Sequence, residues 1–222
     1  MRLWRMIFYK EVHQLLTNGA IYWITLVPYA TFLMIFMIDN RPDLPFIIAL
    51  ALVLMPMQIM ASLLVEEKEL HAWRVFDQSG VSFLLLLAGK AMISLFITVV
   101  FITLAIWVSE VAIIHAIGIV VFTVPIAVFF ASVGAVAAAF SNNRLEVGFW
   151  EGPVFLLFIS QAIIYQNLSE PGILPMAHFD KAIANIIANP FSVVGEFLVL
   201  CLFAFICVPV ALHLLNRKKH SF

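Results

Sequence analysis

Six stretches of this chain are long and apolar enough to cross a bilayer, and that feature removes most folds from consideration. They run from Ala20 to Ile38, Phe46 to Val65, Ala91 to Ser109 and Val111 to Phe140, then from about Val147 to Leu168 and about Ser192 to Leu215. About 20 helical residues cover a hydrocarbon core of roughly 30 Å, at about 1.5 Å per residue. Backbone groups in lipid must be hydrogen-bonded internally, which leaves helices and closed barrels. These runs do not alternate polar and apolar residues as barrel strands would. Composition agrees: 64% of the residues are hydrophobic and 11% charged, against about 45–50% and about 25% in soluble domains. With a mean hydropathy of +1.08, lipid must serve as part of the solvent. The expected fold is an all-α integral membrane protein with six transmembrane helices, forming a single transmembrane domain over residues 1–222.

Five of the spans carry a proline, namely Pro28, Pro56, Pro125, Pro153 and Pro209. Each is expected to kink its helix, which a membrane tolerates. Basic residues set the orientation. With the N-terminus in the cytoplasm, six spans return the C-terminus there. The inner segments then hold Arg2, Arg5, Lys10, Lys68, Arg74, Lys90, Arg144, Arg217, Lys218 and Lys219, and the outer ones only Arg41 and Lys181.

Three segments outside the spans carry most of the information. In residues 1–17, Leu3, Trp4, Ile7, Phe8, Val12 and Leu15 share one helical face, with Arg2, Arg5, Tyr9 and His13 opposite. This predicts an interfacial helix, not a signal peptide, because charges interrupt the apolar residues. Glu11 projects from the apolar face, so it either snorkels or is covered by a partner. Residues 66–90 are expected as a cytoplasmic segment. It opens on Glu66, Glu67, Lys68 and Glu69, embeds Trp73 and Phe76, breaks at Ser79-Gly80 and ends on Lys90. Aromatics among charges suit docking to a soluble protein. Residues 169–190 are expected on the outer side, as a short amphipathic helix that floats at the interface or is re-entrant. Its apolar face is Phe179, Ala182, Ile183, Ile186 and Ile187, stopped by Asn189-Pro190.

Catalytic signals are missing from the sequence. The histidines form no H-E-x-x-H pair, and Gly89-Lys90-Ala91 lacks the glycine and the hydroxyl residue of a phosphate loop. Glu110, Glu151, Glu196 and His115 all fall near span ends, so no ionisable row crosses the bilayer as a proton-coupled pump would need. Cys201 and Cys207 are six apart in an apolar run and read as small buried hydrophobes. A net charge of −1 gives no reason to expect nucleic acid as a partner. Ala127, Ala131, Ala135 and Ala139, with Gly134 and Ala138, let helices approach closely. Packing within the chain is the expected use of that row, a dimer seam the alternative.

This layout resembles the membrane subunits of type-2 ABC exporters, over essentially the whole chain. Glu66-Glu67-Lys68-Glu69 through Ser82, then Gly89-Lys90, is similar to that family's loop after the second helix. The segment ending Asn189-Pro190-Phe191 is similar to its outer re-entrant segment. Where the family often has a glycine-threonine pair, this chain has Ala72-Trp73. The resemblance implies a multi-pass permease of a bacterial cell (inner) membrane. It would pair with a second protomer, identical or related, and carry two ATPase subunits beneath. ATP and Mg would sit on those partners, and this chain itself would bind no cofactor. Glu66, Glu67, Glu69, Arg74 and Phe76 would meet the ATPase, with Arg5 and Glu11 nearby. Met55, Met57, Phe155 and Phe158 would line the path of a hydrophobic or amphipathic cargo, whether peptide, lipid-like or drug-like. A relative of similar size is the haem-exporter subunit of cytochrome c maturation.

Three other readings stand beside this one. A secondary transporter or a membrane enzyme would need ionisable residues clustered at mid-membrane, which the sequence lacks. A non-transporting anchor or sensor subunit has no such requirement.

Overall fold

The computed structural model describes residues 2–17, 19, 26–31, 33–34, 37, 44–70, 72, 82–165, 175–188 and 193–218. Every regular element among them is helical. The delimited helices are α1 (Arg2–Thr17), α2 (Leu44–Glu69), α3 (Phe83–Val108), α4 (Ile113–Phe140), α5 (Arg144–Tyr165), α6 (Pro175–Ala188) and α7 (Val194–Lys218). Of these, α2, α3, α4 and α7 are long and apolar enough to cross a membrane. The first expected span is described only at residues 26–31, 33–34 and 37, which are helical. There the Tyr29 ring meets Phe101 of α3 edge-on at 4.5 Å.

The long helices run through their prolines unbroken: Pro56 in α2, Pro125 in α4, Pro153 in α5 and Pro209 in α7. Short connections make α3, α4 and α5 successively antiparallel. The α3–α4 turn is a Schellman closure. The Glu110 N–H donates to Trp107 O at 3.2 Å and the Val111 N–H to Ile106 O at 3.4 Å. Glu110 takes the left-handed conformation at φ 53°. The α4–α5 turn ends in a side-chain N-cap at Asn143. Asn143 Oδ1 accepts from the Glu146 N–H at 2.9 Å, and Glu146 reaches back to the Asn142 N–H at 2.7 Å.

Helix α2 is the axis of the bundle, 89% buried over its most apolar window, against 39%, 44% and 22% for α3, α4 and α7. It packs on α4, α3 and α5. Gly134 explains how closely α4 approaches, since a Cβ there would lie 2.1 Å from the Met57 carbonyl oxygen. Ala127, Ala131, Ala135, Ala138 and Ala139 are buried in the same region, so the small-residue row serves packing within the chain. Phe129, Phe130, Phe158 and Phe203 form an edge-to-face cluster joining α4, α5 and α7. Large apolar side chains such as Phe96, Trp107, Ile113 and Phe205 point outward, as a surface solvated by lipid requires.

Helix α6 does not float. Its apolar face, Phe179, Ala182, Ile183 and Ile186, is buried against α7, α4 and α5. Ile186 lies over Gly118, which places α6 at the end of the bundle where α4 begins. Lys181 of α6 pairs with Glu196 of α7 at 2.8 Å.

Candidate functional site

The opposite end of the bundle holds most of the described charges, where α2 and α4 finish, α3 and α5 begin, and α1 packs on α3. At its centre is a charge quartet, buried except at the half-buried Lys10, made of Lys10 and Glu11 from α1, Glu67 from α2 and Lys90 from α3. Lys90 Nζ lies 2.9 Å from Glu11 Oε2 and 3.0 Å from Glu67 Oε1. Lys10 Nζ lies 3.0 Å from Glu11 Oε1 and also pairs with Glu67 Oε1. The side chains of Lys90 and Glu11 are 0% exposed and that of Glu67 1%. Two positive and two negative charges sum to zero, the condition under which ions tolerate burial. Glu67 Oε2 is buried with no hydrogen-bond partner. Burial, the largest single influence on Lys10, works against its charge. The Glu67 and Glu11 carboxylates together outweigh it and hold the ammonium above its ordinary value of 10.5.

Two further contacts tie the same end together. Lys68 Nζ donates to the carbonyl oxygens of Ala138 and Ser141, both at 2.6 Å. A cation there satisfies carbonyls at the C-terminus of α4 and complements its dipole. Arg144 at the start of α5 pairs with Glu66 at 3.2 Å and Glu69 at 3.6 Å. Its backbone N–H donates to Glu69 Oε1 at 3.1 Å.

Several expectations change in the light of this geometry. Glu11 neither snorkels nor waits for a partner, because Lys10 and Lys90 of its own chain cover it. Glu67 likewise faces inward, so neither carboxylate presents a docking surface. Glu66 and Glu69 remain partly exposed beside Arg144. The backbone of Arg5 lies on α1, while Arg74 and Phe76 lie outside the described residues, as does Asn189-Pro190-Phe191. The span expected to begin at Ala91 is part of a helix that begins at Phe83. The apolar run before Lys90 forms the first two turns of α3 and carries Lys90 inside the bundle. Residues 66–69 likewise continue α2.

The four residues expected to line a cargo path are packed within this chain. Met55, Met57 and Phe158 are buried in the core, and Phe155 packs against it half-buried. A cavity of about 220 Å³ lies elsewhere, among Met60, Leu87, Ala91, Ala131, Ala135 and Ala211. The Ser132 hydroxyl in its wall donates to Val128 O at 2.8 Å. Glu151, on the inward face of α5, is buried, and its Oε1 has no hydrogen-bond partner. Among the described residues no three His, Cys, Asp or Glu side chains converge as metal ligands would.

Sequence reasoning missed Lys10, Lys90, Lys68 and Arg144 as partners of the acidic residues. One signal was present: with Ser82 taken as the N-cap of α3, Lys90 becomes a lysine within an apolar helix, which must have a partner. The fold and the outward apolar surface define an all-α membrane protein. No protein-family model, curated protein or solved structure matches the chain.

Proposed function

We propose that this chain is the permease subunit of an ATP-driven exporter of the type-2 ABC kind. It would have six spans, both termini in the cytoplasm and a place in a bacterial cell membrane. ATP hydrolysis, with its Mg, belongs to separate ATPase subunits. A second permease protomer completes the channel, and the cargo is hydrophobic or amphipathic, haem included. The observation that carries this reading is the segregation of charge. Glu66, Glu69, Arg144 and the edge of Lys10 come to the surface at the end of the bundle that holds most of the described charges. The basic-residue bias turns that same end toward the cytoplasm. A partly exposed charged rim beside a connection rich in charge and aromatics suits a soluble partner.

One observation favours a second reading, a non-transporting anchor or sensor. The central helix α2 is buried on nearly all sides, and the residues proposed for a path are packed as core.

The test is co-purification of the tagged chain from native membranes, followed by an ATPase assay. A nucleotide-binding subunit is expected to come with it. Glu66→Ala/Glu69→Ala, which leaves the charge quartet intact, is expected to reduce that association at least tenfold. If no ATPase accompanies the chain, the exporter reading fails and the anchor reading takes its place.

A further inference from the structure

The charge quartet divides in an unusual way. Lys10 and Glu11 both belong to α1 and pair with each other at 3.0 Å. Lys90 and Glu67 belong to α3 and α2 and also pair at 3.0 Å. Each half is therefore neutral by itself. The bonds that cross between the halves, Lys90 to Glu11 and Lys10 to Glu67, can open without leaving a net charge on either side. A staple meant to be permanent would place like charges on each half, so that separation left both uncompensated. The Lys90–Glu11 cross-pair is sheltered from water and the Lys10–Glu67 one reaches the surface through Lys10, while the self-pairs keep the open arrangement accessible.

We propose that the quartet is a reversible latch, holding α1 against α3 in one state and releasing it as a neutral unit in another. Helix α1 packs on α3, and Lys90 sits two turns inside α3. Displacing α1 therefore acts on the third helix directly. The latch stands on the geometry alone. Its use by a cytoplasmic ATPase seated on the rim of Glu66, Glu69 and Arg144 rests on the function proposed above.

The experiment uses the full chain in nanodiscs, with Cys201→Ala and Cys207→Ala, and spin labels at Tyr9→Cys on α1 and Leu145→Cys on α5. Both labelled positions are exposed. The distance between them is read by double electron–electron resonance. The parent is expected to show one dominant short distance. Glu67→Gln/Lys90→Met removes a neutral pair from the bundle side and is expected to shift most of the population to longer, broader distances. Its thermal midpoint and monodispersity report that the bundle remains folded. The exchange Glu11→Lys/Lys90→Glu keeps the cross-pairing but makes one half doubly positive and the other doubly negative. It is expected to narrow the distribution relative to the parent at low ionic strength, because separating the halves now leaves uncompensated charge on each, and to lose part of that gain in 1 M salt (on the order of a 3 Å screening length), where the parent changes little. An unchanged distribution in the folded Glu67→Gln/Lys90→Met variant overturns the latch, because α1 is then held by its apolar face alone. Equal distributions for the parent and the exchanged variant at low ionic strength also overturn it. With a co-purified ATPase and ATP, the parent is expected to shift and the exchanged variant to stay. A complex that hydrolyses ATP without moving α1 removes this use of the latch and leaves the exporter reading standing. If no ATPase co-purifies, the exporter reading falls, and the two distance comparisons still decide the latch.

Discussion

Glu110 sits where a glycine would be expected. It closes α3 in the left-handed conformation, which costs a residue with a Cβ about 1–2 kcal/mol. Its side chain is exposed, and nothing in the turn depends on the carboxylate. Glu110→Gly is therefore expected to stabilise the protein, by about 0.5–1 kcal/mol once the added freedom of the unfolded chain is deducted. The thermal midpoint in detergent measures this, and a lower midpoint counts against the closure described. Lys10 gives a second prediction, about pH. Its folded-state value lies above 10.5, so the folded protein holds the proton more tightly than the unfolded chain. The sign follows from linkage: the stabilisation is complete below about pH 10.5 and is lost as pH rises through the folded-state value. Lys10→Met is expected to flatten the stability profile on that alkaline limb. A limb of the same steepness in the variant assigns the alkaline loss to other groups.

At the level of elements, the contact between α2 and α4 is the most sensitive. The obstacle at Gly134 is a backbone carbonyl, which cannot rotate aside as a flexible side chain can. Gly134→Ala is expected to cost about 3 kcal/mol, whereas alanine at Gly148, with nothing within 4 Å of its Cβ, costs little. Their relative thermal midpoints test this, and equal values would show that α4 can back away from α2. The Asn143 cap at the start of α5 predicts a smaller effect, about 1 kcal/mol for Asn143→Ala. Much of this layer was legible in the sequence. The turn at Glu110, the apolar face of α6 and the helical course of α4 and α7 follow from pattern and length. The start of α3 was misread because Lys90 looked like a residue at the membrane surface. What holds it inside is Glu11, 79 residues away, and no local pattern announces a pairing across that distance. The central place of α2 was equally hidden. Its mean hydropathy of 2.3 is the lowest of the four apolar helices, yet it is the most buried. Lipid is as apolar as a protein core, so hydropathy marks what enters the membrane and not what lies innermost.

For the molecule as a whole, the two ends of the bundle differ in what they can tolerate. One gathers Lys10, Glu11, Glu66, Glu67, Glu69, Lys90 and Arg144 into pairs and sets Lys68 on the carbonyls that end α4. The other has the turn at Glu110 and the Lys181–Glu196 pair beneath α6. Antiparallel α3, α4 and α5 place the turn at 109–112 and the turn at 141–143 at opposite ends. If α4 crosses the bilayer as its 28 residues allow, these turns lie on opposite sides, and the basic bias puts 141–143 in the cytoplasm. Single cysteines at Glu110 and Asn142, both exposed, test this in a background carrying Cys201→Ala and Cys207→Ala. In intact cells a membrane-impermeant maleimide is expected to label Glu110→Cys and to reach Asn142→Cys only after permeabilisation. The reverse pattern would put the charged rim outside, where no cytoplasmic ATPase could reach it. Labelling of both from outside would mean that α4 does not cross. Either result would remove the topological ground for a cytoplasmic partner, while the pairing of Lys90 with Glu11 and Glu67, which depends on packing and not on sidedness, would be unaffected.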